Sequence, residues 1–343
     1  MGVHTYQNWG NGSNDTQYTL QTELLDRAGA HVCLDMACDV RTMNKKTGQS
    51  LTFTRYDVPA VNTTPLTETI NPAERAMVPE YVPGTLSSYG EVFALSREDL
   101  DLNPIDTLKA TADNLIQLVN STREKIRWNA AYGGTSVFYN SSAISSRATV
   151  NGVFTAGRLQ RAVRALTSNK AQVFTGMERG GSRENTYPIE PAFYAFCSTD
   201  LQTDLRNQLP GFRTCNEYGS GSPKSEYEFG AWQNIRFFTN QEFGPVADIG
   251  ASASGTNFIS TSGTLIDVYP IVIVAKHALT SVRLTGDGPK GMGNIKPKIL
   301  NEADKSDPLN RKALVTASWY DLVMRTNENW LTRVETACTN NPT

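Results

Sequence analysis

Between Leu51 and Leu95 the chain spells a long hairpin whose far end has nothing of its own to pack against. Leu51-Thr-Phe-Thr-Arg-Tyr56 alternates apolar and polar residues, as a half-buried strand does, and Tyr89-Gly-Glu-Val-Phe-Ala-Leu95 is read as the returning strand. The polar segment between them carries Pro59, Pro65, Pro72, Pro79 and Pro83. Each proline removes a backbone donor and fixes one dihedral, which excludes a regular helix or a central strand for this tip. With few large apolar residues it can bury little within its own chain, and a lone two-stranded arm is marginal in water. A partner, or a second copy, is expected to supply the missing surface.

A helical stretch of unusual length follows. Asn103 is placed as its cap, Pro104 as its first residue, and Gly133-Gly134 as a left-handed stop. Leu108, Ala112, Leu115, Val119, Thr122 and Ile126 recur at steps of four and three and mark one apolar face. From Pro104 to Tyr132 such a helix would run about 43 Å. A plain bundle or coiled-coil helix is the blander reading, but the stripe is short and no second long helix follows.

The 343 residues, 39% hydrophobic and 19% charged, suffice for one large or two medium cores. A formal net charge of −2 excludes a whole-chain electrostatic binder of nucleic acid while leaving local patches open. No charged-then-apolar leader and no membrane-crossing apolar run is visible, so a cytoplasmic protein is expected. Cys33, Cys38, Cys197, Cys215 and Cys338 are odd in number and irregularly spaced, which fits a reducing compartment rather than a disulfide framework.

Along the chain, Met1 to Thr16 reads as an extended arm and Gln17 to Ala28 as a short helix stopped by Gly29. Lys45 to Gly48 is a turn. Gly157 to Lys170 is an amphipathic helix with Leu159, Ala162, Val163 and Leu166 inward and Arg158, Arg161 and Arg164 outward. Strand and helix then alternate: Ala192 to Phe196 is a buried strand, and Ser198 caps a helix to Leu209. Val268 to Ala275 is the most apolar strand, with Pro270 placing its first residues at an edge. Ala313 to Met324 and Trp330 to Glu335 are expected to return to the sheet under the long helix. Gly176 to Thr186, Gly219 to Ser225 and Gly250 to Gly263 read as exposed loops.

Chemistry is sparse. Gly286-Asp-Gly288-Pro-Lys-Gly291 has the spelling of a dinucleotide-binding turn, but Pro289 and Pro297 forbid the helix that must hold a pyrophosphate. No phosphate-cradling Gly-Lys-Ser/Thr loop occurs. His31, Cys33 and Cys38 lack a second ligand pair for zinc, and Glu302, Asp304 and Asp307 lack calcium-loop spacing. Cys197 or Cys215 with His277 would be the only nucleophile pairing, and a histidine ending a strand is first a structural residue. No cofactor, metal or catalytic residue is assigned.

The order of these segments resembles the major capsid proteins of tailed bacteriophages with the HK97-like fold, in particular the enquatrovirus-type branch. The resemblance rests on Thr22-Glu-Leu-Leu-Asp-Arg-Ala28, Gly48 to Tyr56, Thr63-Thr-Pro-Leu-Thr-Glu68, Tyr89-Gly-Glu-Val92, Gly157 to Leu166 and Asp200-Leu-Gln-Thr-Asp-Leu205. Gly230 to Phe237, Asp267 to Val274 and Asp304-Lys-Ser-Asp-Pro-Leu309 extend it through the C-terminal half. It implies an α+β fold with an N-terminal arm (1–47), an extended loop (48–97), a peripheral domain with a spine helix (98–150), an axial domain (151–275) and a return to the peripheral domain (276–343). It further implies a non-enzymatic subunit that forms pentamers and hexamers of an icosahedral head around double-stranded DNA. The implied partners are a separate scaffolding protein, since no long helical prefix precedes the arm, a portal protein and a decoration protein. Neither a membrane nor a cofactor is implied. Arg55, Asp57, Glu68, Glu74, Arg75, Glu80, Arg158 and Arg161 are the expected inter-subunit residues. A nanocompartment shell protein, a minor structural or decoration protein and an α/β enzyme are the alternatives.

Overall fold

The computed structural model describes residues 32–340 apart from 57–58, 64, 66–73, 103–106, 178–187, 219–222, 224, 226, 286–297, 301–307 and 310. The opening arm and short helix, the Asn103 and Pro104 cap, Asp57, Glu68, the Gly286 turn and the Asp304 cluster therefore lie outside the described residues, as does most of the Gly176 and Gly219 loops.

The chain enters through a 3-10 turn, Leu34–Ala37, into β1 (Cys38–Met43), and a turn with Lys46 and Gly48 at positive φ leads to β2 (Ser50–Tyr56). Then follow β3 (Pro79–Thr85), β4 (Ser87–Ser96), α1 (Arg97–Leu102) and the spine helix α2 (Thr107–Tyr132). Next come β5 (Val137–Tyr139), α3 (Ala156–Ser168), β6 (Phe174–Met177), β7 (Pro188–Cys197), α4 (Gln202–Gln208), β8 (Arg213–Thr214), β9 (Glu228–Trp232) and β10 (Ile235–Thr239). The chain closes with β11 (Tyr269–Val274), β12 (Leu279–Leu284), β13 (Lys298–Leu300), β14 (Lys312–Arg325) and β15 (Leu331–Thr336).

The hairpin is paired differently from the sequence reading. β2 runs antiparallel to β3, with Thr52 opposite Pro83 and Tyr56 opposite Pro79, while β4 leaves the ribbon and pairs with β14 from Ser87–Asp321 to Ser96–Lys312. An isolated two-stranded ribbon has open outer edges, so prolines are tolerated there. β4 instead has apolar residues to bury, and β14 offers it a long partner.

Two larger sheets result among the described residues. The first joins β1, β12, β14, β13 and β4; the second runs β5-β15-β11-β7-β10-β9-β8, with β6 on β7. Leu115 and Val119 of α2 pack on the first sheet against Leu95, Val315, Ala317 and Trp319. The second sheet is buried on both faces, which explains the apolar spelling of β11 and why every residue of β10 is buried, Arg236 by pairing with Glu228 at 2.9 Å. One face, with Phe193, Ala195, Phe237, Ile271 and Ile273, lies under α3 and α4. The other, with Tyr194, Phe196, Val272 and Val274, meets Trp128 and Ala131 of α2 and the arm residues Cys33 and Leu34. β14 and β15 therefore lie in two different sheets, both packed against the spine, where the sequence reading had a single sheet under the long helix. β11 is a central strand, yet its register with β7 begins only at Val272, so Pro270 lies where that side is unpaired.

Two details of α2 also depart from expectation. Beyond Val119 the buried line continues by fours through Arg123, Arg127 and Ala131, with Glu124 and Trp128 beside it, whereas Thr122 and Ile126 are only half-buried. Gly133 and Gly134 do not adopt positive φ. A Cβ on Gly134 would stand 2.3 Å from Leu331 Cδ2, and one on Gly133 2.7 Å from Arg325 Nη1. These glycines allow β14 and β15 to approach the helix end closely, rather than supplying a left-handed turn.

Candidate functional site

The ribbon β2–β3 is fastened at its root. Leu86 N–H donates to Gln49 O at 2.9 Å and Gln49 Nε2 to Leu86 O at 2.8 Å, while Gly84 sits so close to β14 that a Cβ there would reach Leu322 Cδ2 at 2.9 Å. Arg55 donates to Thr326 O at 3.3 Å and pairs with Glu80 across the ribbon. Beyond that root the ribbon leaves its apolar side chains uncovered: Tyr56 is 56% exposed, Tyr81 63%, Met77 65%, Val78 76% and Val61 77%. Exposed apolar side chains gathered in one segment are a common feature of interaction surfaces.

Of the expected inter-subunit residues, the structure brings Arg55 and Glu80 together, so their charges are directed to each other. Arg75 Nη1 donates to Ala60 O at 2.6 Å within the ribbon, and Glu74 is exposed. Arg158 and Arg161 stand on α3, over the second sheet, with the Arg161 guanidinium 5.8 Å from the centre of the Phe138 ring. The exposed apolar ribbon residues were missed by charge-based reading. Their signal was the Met77-Val78 pair set among prolines.

A buried charge cluster joins the segments that frame the ribbon. Glu124, fully buried on α2, accepts the backbone N–H of Cys33 at 2.9 Å and of Leu34 at 2.8 Å, satisfying the free amides at the start of the arm's 3-10 turn. Arg127 Nη2 lies 3.1 Å from Asp35 Oδ1, Arg283 Nη2 of β12 reaches the same oxygen at 2.7 Å, and Arg123 Nε is 3.5 Å from Asp321 Oδ2 of β14. Three arginines thus meet three carboxylates where arm, spine and first sheet converge. Burial by itself would lower the Arg127 pKa, but the neighbouring carboxylates, Asp35 foremost, outweigh it and raise it. Arg123 is lowered, by burial first and then by Arg127. Burial also pushes the Cys38 thiol up to about 12 and raises Cys33, whose Sγ sits 3.4 Å from Glu124 Oε1. These are structural, unreactive thiols.

The far end of the spine is held by arginines from other strands. Arg325 Nη1 donates to Ala130 O at 2.8 Å and Arg333 Nη1 to Gly134 O at 2.8 Å and also to Tyr132 O. Cations at a helix C-terminus complement its dipole and its free carbonyls. Glu335, buried, pairs with Arg333 at 2.9 Å and with Arg147 at 2.5 Å. His277 has φ 64 and its Nδ1 lies 2.6 Å from Asp39 Oδ2, a contact between β1 and the β11–β12 turn rather than part of a nucleophile site. Among the described residues no metal-holding cluster is found, and no helix is long and apolar enough to cross a membrane.

No family model matches the chain. The major capsid protein of Pseudomonas phage KPP21 is 23% identical over 186 residues, covering 50% of this chain and 45% of that protein, so the match spans less than half of the relative's length. Solved structures align over nearly the whole chain. The capsid of Ralstonia phage GP4 superposes with a TM-score of 0.70 at 12% identity, covering 97% of this chain and 99% of that one. The capsid of cyanophage Pam1 gives 0.64 at 11%, with the same coverage. With the ribbon, the spine helix and the two sheets in this arrangement, the chain has the HK97-like fold of phage capsid subunits.

Proposed function

We propose that this chain is a major capsid protein, a shell-forming subunit that assembles with copies of itself into the pentamers and hexamers of an icosahedral phage head enclosing double-stranded DNA. The observation that carries this reading is the ribbon: among the described residues its ties to its own body are at the root, it exposes Val61, Met77, Val78 and Tyr81, and it belongs to a fold shared with phage capsids. Covering such side chains recovers about 25 cal/mol for each Å² removed from water, and a neighbouring copy is the surface this reading assigns to them. Heterologous contacts that close into rings need each contact to be modest and many to act together.

On this reading the role is assembly rather than catalysis. Residues 1–47 are the arm, 48–97 the extended loop, 98–150 and 276–343 the peripheral domain, and 151–275 the axial domain. Arg55 and Glu80 stiffen the ribbon, Glu74 and Arg75 flank its apolar contact, and Asp57 and Glu68 are further inter-subunit residues on this reading. A separate scaffolding protein and a portal protein are the partners it calls for, a decoration protein is an optional one, and its place is the virion shell, assembled in the host bacterial cytoplasm. The test is deletion of residues 59–83, followed by negative-stain microscopy of the expressed protein. A soluble subunit without closed shells is expected; normal shells would refute the ribbon's role, and shells filled with a cargo protein instead of DNA would point to a nanocompartment.

A further inference from the structure

From Lys125 to Met177 the chain contains no aspartate or glutamate, although its net charge is −2 overall. The basic residues of this stretch divide into two groups. Lys125 donates to Glu242 O at 2.8 Å, Arg127 is buried in the arm cluster and Arg147 is held by Glu335. Arg158, Arg161 and Arg164 on α3, with Lys170 just beyond it, form no ion pair among the described residues.

Leu159, Ala162 and Leu166 fix α3 on the second sheet, so the arginines project from its outer side, where Arg161 and Arg164 are exposed and Arg158 is half-buried. α4 covers the same face of that sheet and adds the exposed Arg206, while its Asp204 is buried and accepts Thr339 N–H at 2.9 Å. Gln160, Thr167, Ser168 and Asn169 lie among the cations and carry no charge. The exposed Asp200, in the turn before α4, is an acid on the α4 side, and none stands among the cations of α3 itself; unpaired cations with no acid on their own helix are the footprint of a polyanion surface.

We infer that the α3 face of the larger sheet is a sequence-independent docking surface for the phosphate backbone of duplex DNA, with Arg158, Arg161 and Arg164 as the phosphate contacts. The three arginines span roughly 9 Å of helix axis, against a duplex that presents one phosphate charge about every 1.7 Å. No base-reading geometry is required, and contacts of this kind position a duplex without specifying its sequence. The inference takes from the shell reading only the source of the DNA, and binding by the unassembled chain does not depend on it.

The test is a salt titration of full-length protein binding a fluorescent duplex of mixed sequence. Each phosphate contact contributes about 0.9 to the slope of log affinity against log salt, so Arg158→Gln/Arg161→Gln/Arg164→Gln is expected to reduce the slope by about 2.7. The three single variants should each reduce it by about 0.9, which serves if the triple variant unfolds. Arg41→Gln/Lys45→Gln/Lys46→Gln, exposed cations elsewhere, should leave it unchanged. A wild-type slope in the triple variant, or tighter binding of polyglutamate than of DNA, would overturn the inference and return Arg158 and Arg161 to a contact between subunits. Negative-stain imaging of the same wild-type preparation reports separately on shell formation.

Discussion

The carboxylate of Glu124, in the second half of the spine helix, accepts the backbone N–H of Leu34, in the arm, at 2.8 Å. This contact joins segments far apart in sequence, and the same oxygen also holds Cys33 N–H, so the arm's first turn is capped by the spine. Removing that acceptor strands two amides and takes one of two carboxylate partners from the buried Arg127, leaving Asp35. Glu124→Ala is expected to cost about 3–5 kcal/mol, read from the urea midpoint, with the arm becoming protease-sensitive first. Glu124→Gln keeps one acceptor oxygen and should lose less.

Leu115 is fully buried between α2 and the first sheet. Leu115→Ala should cost about 2–5 kcal/mol, and Leu115→Asp should prevent folding altogether. Wild-type denaturation of the aspartate variant would mean that this face of the helix is not the buried one.

Gly134 tests close approach against backbone conformation. A Cβ there would meet Leu331 Cδ2 at 2.3 Å, so Gly134→Ala should be destabilising by about 1–3 kcal/mol. Gly134→Ala should cost less in a Leu331→Ala background than in the wild type, although Leu331→Ala is itself destabilising, and a double-mutant cycle measures that coupling.

Met77 and Val78 are 65% and 76% exposed. Met77→Ser/Val78→Ser should leave the stability of the isolated subunit within about 0.5 kcal/mol while raising the protein concentration at which shells form. Light scattering during assembly, alongside thermal unfolding of the subunit, separates the two effects.

Cys38 has its pKa pushed from 9.0 to about 12, chiefly by burial. The unfolded thiol ionises above pH 9 while the folded one keeps its proton, so this group's contribution is intact below pH 9 and is lost as pH rises towards 12. Stability measured by denaturation at a series of alkaline pH values should fall across that window, and less steeply in Cys38→Ala. At pH near 8 a thiol reagent should label the half-buried Cys215 before Cys33, Cys38 or Cys197.

Much of the element content was legible in the sequence because it depends on local periodicity. The helix α3, the strands β2, β7, β11 and β14 and the Ser198 cap, whose side chain accepts Asp200 N–H, are all spelled within short windows. The long spine was legible too, and so was the proline-rich ribbon with no core of its own. Strand partnership was not: Tyr89 to Leu95 alternates as a hairpin return would, and only the presence of β14 as a longer partner draws it away from β2.

Charge was the least legible feature, since Arg123, Glu124 and Arg127 lie off the apolar face that the spacing marks and only the fold brings Asp35, Arg283 and Asp321 beside them. The sequence by itself determined where helices, strands and the uncovered arm occur, because spacing and proline chemistry act between near neighbours. Only the tertiary structure decided which strands pair, why Gly133 and Gly134 are glycines, and which charges are buried, because those depend on distances between segments that the linear order does not contain.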